Sequence, residues 1–176
     1  MSEKRECGAC YLCCELLDIN EISIDGVPFE KLAGALCRHC SIDNSEGCCT
    51  IHPSRPKSCS NYSCAWIMGF GSDDDNPLQT KVVVNPEDTE TWGRMVSLVE
   101  LEPGVTTSFP PAMQLLEKAK GVPWVNAVCI VSSVDKPRKV YVRDTENPQL
   151  WNVKWYTSVR EQEKGEVPVR DWRNDE

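Results

Sequence analysis

Apolar and polar positions change their period near the middle of the chain. Beyond Pro77, β-branched and aliphatic residues come in short runs: Thr80 to Asn85 (TKVVVN), Met95 to Leu101 (MVSLVEL), Val125 to Val134 (VNAVCIVSSV) and Lys139 to Arg143 (KVYVR). Runs of this length and composition predict strands. Between the second and third, Pro110 to Lys120 (PPAMQLLEKAK) has helical spacing, opens on proline and stops before Gly121, which predicts a helix. Asp135 to Arg138 reads as the turn of a hairpin joining the last two strands, and Trp151 to Tyr156 as a further edge strand or helix. The order strand, strand, helix, strand, strand predicts an α+β fold, a small antiparallel sheet with one packed helix.

Before Gly69 the pattern is different. Cys10 to Leu17 (CYLCCELL) and Phe29 to Leu36 (FEKLAGAL) suit short helices, and the rest reads as turns broken at Asn44 to Gly47 and Pro53 to Pro56. So much loop requires an internal staple. The run Gly69 to Pro77 reads as an exposed acidic loop and marks a boundary. The expected organisation is a loop-rich cysteine module over 1–70, an α+β half over 77–160 and a charged tail over 161–176.

Composition narrows the function classes. With 40% hydrophobic and 26% charged residues the 176-residue chain is globular in composition, and no stretch approaches the roughly 18 apolar residues of a membrane span, so no membrane partner is expected. A formal net charge of -8, with no cluster of Lys and Arg in the first 70 residues, argues against nucleic acid, because phosphate neutralisation needs such clusters. Met1 to Glu6 is charged and lacks the apolar core of a secretory signal, so a cytoplasmic protein is expected. Glu100, Glu102, Asp135 and Asp144 read as surface charges on strands and turns. They form no acid–base set, and no Gly-rich nucleotide fingerprint accompanies them, so the chain is not expected to be an enzyme.

The chemistry lies in the thiols. Ten of the eleven cysteines fall between Cys7 and Cys64. An odd count in a chain without a secretory signal argues against disulfides and for metal. The spacing is Cys7-x2-Cys10-x2-Cys13-Cys14, then Cys37-x2-Cys40, Cys48-Cys49, Cys59 and Cys64. Two intervening residues let a tight turn aim both sulfurs at one ion while its amides donate to the thiolates. Adjacent cysteines point apart, so Cys13 and Cys14 are expected to serve different sites or one of them to pack as core. Cys14 lies one helical turn beyond Cys10, on the same face. Zinc and a four-iron cluster each take four ligands, so eight or nine thiols suggest two sites.

Separated Cys-x2-Cys pairs favour zinc, whereas Cys7-x2-Cys10-x2-Cys13 reproduces three positions of a bacterial ferredoxin run and favours a 4Fe-4S or 2Fe-2S cluster. Both metals remain open, zinc being preferred. A thioredoxin-like role for Cys7-Gly-Ala-Cys10 fails because no strand precedes it. His39 reads as a turn residue, and His52 as either a ligand or a packing residue. Cys129, inside an apolar run, reads as a buried structural thiol.

Read together, Cys7-Gly-Ala-Cys-Tyr-Leu-Cys-Cys14, Cys37-Arg-His-Cys40, Gly47-Cys-Cys-Thr-Ile-His52, Arg55-Pro-Lys-Ser-Cys59 and Cys64-Ala-Trp66 resemble the bacterial CxxCxxCC (YkgJ-type) cysteine-cluster family, described as zinc- or iron-chelating proteins. The resemblance covers about residues 7–70. It implies Cys7, Cys10, Cys13, Cys14, Cys37, Cys40, Cys49, Cys59 and Cys64 as the metal set, with Cys48 and Cys129 set aside; counting back from Arg55-Pro56 matches Cys49 rather than Cys48. It implies a metal-binding protein and a relation to the cysteine-rich region of flagellin lysine methylases, hence an iron–sulfur redox protein or cluster-dependent enzyme as an alternative. The thiols leave a metal delivery or storage protein as a further alternative, with metal ions and an unknown protein as the expected partners. Arg55 reads either as a donor to carbonyls or to the thiolate cluster or as a solvated arginine, and Trp66 is expected to shield the site from water.

Overall fold

The computed structural model describes residues 5–24, 27–43, 48–132 and 137–156. Helix α1 (Leu12–Leu16) is followed by strands β1 (Ile19–Ile24) and β2 (Val27–Lys31), which pair antiparallel as a separate two-stranded sheet. Helix α2 (Lys57–Asn61) and the short helix α3 (Pro77–Thr80) lead into β3 (Val82–Thr89) and β4 (Gly93–Glu100). Helices α4 (Val105–Ser108) and α5 (Pro110–Gly121) then carry the chain to β5 (Ala127–Val131), β6 (Arg138–Arg143) and β7 (Trp151–Tyr156).

The main sheet keeps the chain order, β3-β4-β5-β6-β7. Its neighbours are antiparallel except β4 and β5, which are parallel. The exception follows from the connection: α4 and α5 return the chain to the starting end of the sheet, and such a crossover joins parallel strands. The fold is therefore α+β with a mixed, mostly antiparallel sheet. Trp151–Tyr156 resolves as the edge strand β7. The hairpin turn between β5 and β6 and the charged tail from 161 onward lie outside the described residues. Phe29 to Leu36, expected to be a helix, instead ends strand β2 and turns, because pairing with β1 takes up its backbone hydrogen bonds through Lys31.

Alternation along the strands gives the main sheet two apolar faces. On one, Val82, Val84, Val96, Leu98, Val128 and Ile130 pack against Ala112, Leu115, Leu116 and Ala119 of α5, residues spaced as one helical stripe. The opposite face is divided. Near β5 to β7, Met95, Ala127, Cys129, Val140 and Tyr156 form one cluster, with Trp92 edge-on to Tyr156. Near β3 and β4, Val83 and the half-buried Val99 and Leu101 are covered by Leu12, Leu16, Cys64 and Trp66. The cysteine-rich segment thus docks directly on the sheet. Its register is fixed by the Ala65 amide, which donates to the Val84 carbonyl at 2.8 Å.

The acidic run before α3 is ordered rather than loose. Asp75 is buried, accepts from the Ser72 amide and hydroxyl at 2.6 and 2.9 Å, and pairs with Lys118 of α5 at 2.6 Å. Gly71 has φ +71°, and a Cβ there would come within 2.5 Å of the Asp75 carboxylate, so the turn requires glycine. Glu100, read from sequence as a surface charge, is 2% exposed. It accepts from the Gly104 and Thr106 amides and from the Thr106 and Ser132 hydroxyls at 2.5 to 3.0 Å, anchoring the crossover to the sheet. Among the described residues no helix is long and apolar enough to cross a membrane.

Candidate metal centre

Both Cys-x2-Cys segments close as tight turns. The Cys10 amide donates to the Cys7 carbonyl at 2.8 Å, and the Cys40 amide to the Cys37 carbonyl at 2.9 Å. Helix α1 follows the first turn and leaves Cys13 and Cys14 half-buried while burying Leu12 and Leu16. Its C-terminal carbonyls then recruit the second turn: the Gly34 amide donates to Glu15 and the Cys37 amide to Cys14, both at 2.9 Å. The buried Lys31 donates its ammonium to the Glu15, Leu17 and Leu32 carbonyls, so a cation caps the helix end beside the thiols. A third piece arrives where residues 39–41 pair with 48–50, through the bridge between Cys40 and Cys49, the Ser41 amide to Cys48 carbonyl bond at 2.7 Å and the Thr50 amide to His39 carbonyl bond at 2.9 Å.

These contacts bring Cys14, Cys40 and Cys48 together, their sulfurs all within 4.8 Å of one another. The Cys14 and Cys48 sulfurs are 3.9 Å apart. Metal–thiolate bonds of about 2.3 Å in a tetrahedral site put sulfurs about 3.8 Å apart, so the trio is close enough to hold a metal ion. Electrostatics agree with that use. Hydrogen bonding from the Cys13 thiol, aided by Cys48 and Cys40, brings Cys14 down to about 6 despite burial, with the Lys31 charge adding to the fall. A ligand must be a thiolate, and these contacts favour the thiolate form of Cys14. Cys48 is the reverse: burial and the Cys14 charge push it up, and its thiol also meets the Cys10 carbonyl at 3.3 Å.

The other sequence-singled thiols surround this trio. Cys37 is half-buried at the turn ending in Cys40. Burial pushes the Cys49 thiol up and the Ile51 amide opposes it; Cys14 and Cys37 add to the rise, and the Arg55 guanidinium counters it. Burial pushes Cys59, on α2, up as well, followed by the charges of Cys14, Cys37 and Cys49. Cys7, Cys10, Cys13 and Cys64 line a small, partly open cleft with Trp66 and Val83, on the side of the segment that faces the sheet. Burial lifts Cys10 to about 11, although the Leu12 amide donates to its sulfur.

Trp66 is buried, its indole donating to the Ser72 carbonyl at 3.0 Å and its ring lying 5.0 Å from the Arg5 guanidinium. His52 is exposed and its Nε2 meets Arg55 at 2.9 Å, so Arg55 binds the histidine as well as biasing Cys49. Cys129 is fully buried in the β5 core.

Cys48 is the member that sequence reasoning passed over. Of two adjacent thiols only one turns toward Cys14 and Cys40, and the choice depends on the pairing of 39–41 with 48–50, which lies in no spacing rule. No family model, curated protein or solved structure matches the chain.

Proposed function

We propose that this is a metal-binding protein in which thiolates of the N-terminal segment hold zinc and thereby fix a loop-rich half against the sheet. The observation that carries the reading is the convergence of Cys14, Cys40 and Cys48 within 4.8 Å, close enough for thiolates that share one ion. Cys37 is the proposed fourth ligand. Its support is the shared turn with Cys40 and the hydrogen bond of its amide to the Cys14 carbonyl. Affiliation with the CxxCxxCC cysteine-cluster family is part of the same proposal, on the motifs between Cys7 and Trp66. A closed set of four thiolates is a structural site, so the metal contributes folding free energy rather than catalysis.

Elemental analysis of freshly purified, reduced protein is the test. About one zinc at this site, lost in Cys14→Ser and Cys48→Ser and retained in Cys129→Ser, is the expected result. Reduced protein that neither contains nor takes up metal would overturn the reading.

A further inference from the structure

The thiols of Cys14 and Cys48 are placed for each other as well as for a metal ion. Their sulfurs are 3.9 Å apart, in contact, although one belongs to α1 and the other to the stretch that pairs with 39–41. A disulfide needs about 2.0 Å between its sulfurs. Closing the gap therefore moves each sulfur by about 1 Å, within reach of small side-chain rotations. Cys48 lies beside an isolated bridge rather than inside a sheet, so its backbone has few ladder bonds to resist the shift. Cys13 is next to Cys14 in sequence but is a poor partner. Adjacent Cα atoms across a trans peptide are about 3.8 Å apart, closer than a disulfide ordinarily spans, and both residues belong to α1.

Burial assigns the two sulfurs different parts. Cys48 is 5% exposed, whereas Cys14 is half-buried. A small oxidant therefore reaches Cys14 from solvent, and Cys48 waits behind it as the thiol that can resolve the product.

We infer that Cys14 and Cys48 form an oxidative modification site, a dithiol–disulfide pair whose oxidant is a peroxide. The Cys14 thiolate attacks one peroxide oxygen; the O–O bond breaks, hydroxide leaves, and Cys14 becomes a sulfenic acid. The Cys48 thiolate then attacks the Cys14 sulfur, the S–O bond breaks, a second hydroxide leaves, and the S–S bond forms. Two electrons pass from the two thiolates to one hydrogen peroxide, and two protons from the thiols or from solvent turn the hydroxides into water. The effect on metal rests on the zinc reading: oxidation consumes two of the three converging ligands, so zinc is released, while the new bond keeps α1 tied to the 48–50 stretch. The disulfide itself does not depend on that reading.

Freshly reduced full chain, both zinc-loaded and stripped with a chelator, is treated with hydrogen peroxide in native buffer. Remaining thiols are alkylated and linked peptides are fragmented by mass spectrometry. The expected result is a Cys14–Cys48 link in the majority of oxidised chains of both preparations, undone by dithiothreitol, with zinc leaving the loaded protein in step with the link. In Cys48→Ser the Cys14 product stops at the sulfenic acid, which a cyclic dione traps. The wild-type map needs no variant, so it decides the matter even if Cys48→Ser misfolds. A dominant link between other thiols, such as Cys14–Cys40 or Cys7–Cys10, or Cys14 and Cys48 alkylated while the rest are oxidised, overturns the pair. A Cys14–Cys48 link in a chain that takes up no zinc at any stage overturns the metal reading instead and leaves the pair standing.

Discussion

The sulfurs of Cys14 and Cys48 lie 3.9 Å apart although 34 residues separate them in sequence. Cys48 is buried and also reaches the Cys10 carbonyl, so it sits where the first turn, α1 and the 48–50 stretch meet. Removing it takes away one of the three thiols that converge within 4.8 Å. Cys48→Ser is expected to weaken zinc binding by at least about tenfold, measured by competition with a chromophoric chelator. Equal affinity in Cys48→Ser and wild type would mean that the trio is a packing cluster only.

Glu100 gathers four donors from two connections: the Gly104 amide, the Thr106 amide and hydroxyl, and the Ser132 hydroxyl. Glu100→Ala leaves all four without their acceptor, the two on Thr106 in buried surroundings. A cost of about 3 kcal/mol is expected from urea denaturation, since buried groups robbed of a charged acceptor pay most of their desolvation. A loss under about 1 kcal/mol would show that water replaces the carboxylate.

The same carboxylate and Asp75 set a pH dependence. Burial pushes both up, but the Ser132 and Thr106 bonds to Glu100, and the Lys118 and Ser72 bonds to Asp75, outweigh it and hold both below their ordinary values of 4.5 and 3.8. A carboxylate with a depressed folded value is protonated more readily in the unfolded chain. Its stabilisation is therefore complete above the unfolded value and is lost as pH falls through the folded one. Denaturation midpoints are expected to fall from about pH 5 downward, and less steeply in the Glu100→Gln, Asp75→Asn double variant. Parallel slopes in the two proteins would count against these groups as the cause.

Much of the sheet and little of the site was legible in the sequence. The apolar runs located β3 to β6, and the opening prolines with a 3.6-residue stripe located α5, because both signals are local. The parallel pairing of β4 with β5 was implied by the helix between them but read as antiparallel, since alternation says nothing of strand direction. Phe29 to Leu36 carries a helical stripe that hairpin pairing overrides. Glu100 was invisible for a different reason: Ser132, one of its partners, is 32 residues away, so no local pattern distinguishes it from an exposed glutamate. In the site, the two Cys-x2-Cys turns were readable from spacing, whereas the choice of Cys48 over its neighbour rests on a long-range bridge.

Tyr62 offers a test of the layer that docks the cysteine-rich segment on the sheet. Its hydroxyl is buried without a hydrogen-bond partner, beside Cys10, Cys64 and Trp66. Tyr62→Phe is expected to raise stability by about 1 kcal/mol, the cost of an unpaired buried hydroxyl. Urea denaturation of the two proteins measures the difference. A loss of stability in Tyr62→Phe would show that the hydroxyl finds a partner in solution.

Metal removal should divide the molecule rather than unfold it whole. Two of the three apolar clusters, the α5 layer and the Met95–Tyr156 layer, are built almost entirely from residues beyond Val82, with Ala65 the exception. Among the described residues, the cluster joining Leu12, Leu16, Cys64 and Trp66 to Val83 is the one to which the first half contributes most of the buried side chains. Among the described residues, the segment before Trp66 has two short α-helices, one 3-10 turn and a two-stranded sheet, little regular structure to hold itself if the proposed metal is removed. Anaerobic chelation is therefore expected to expose the amides of 37–43 and 48–62 to hydrogen exchange by at least about a hundredfold while those of β4 and β5 stay protected. Simultaneous loss of protection in both regions would show one cooperative unit, with the metal stabilising the sheet as much as the loops.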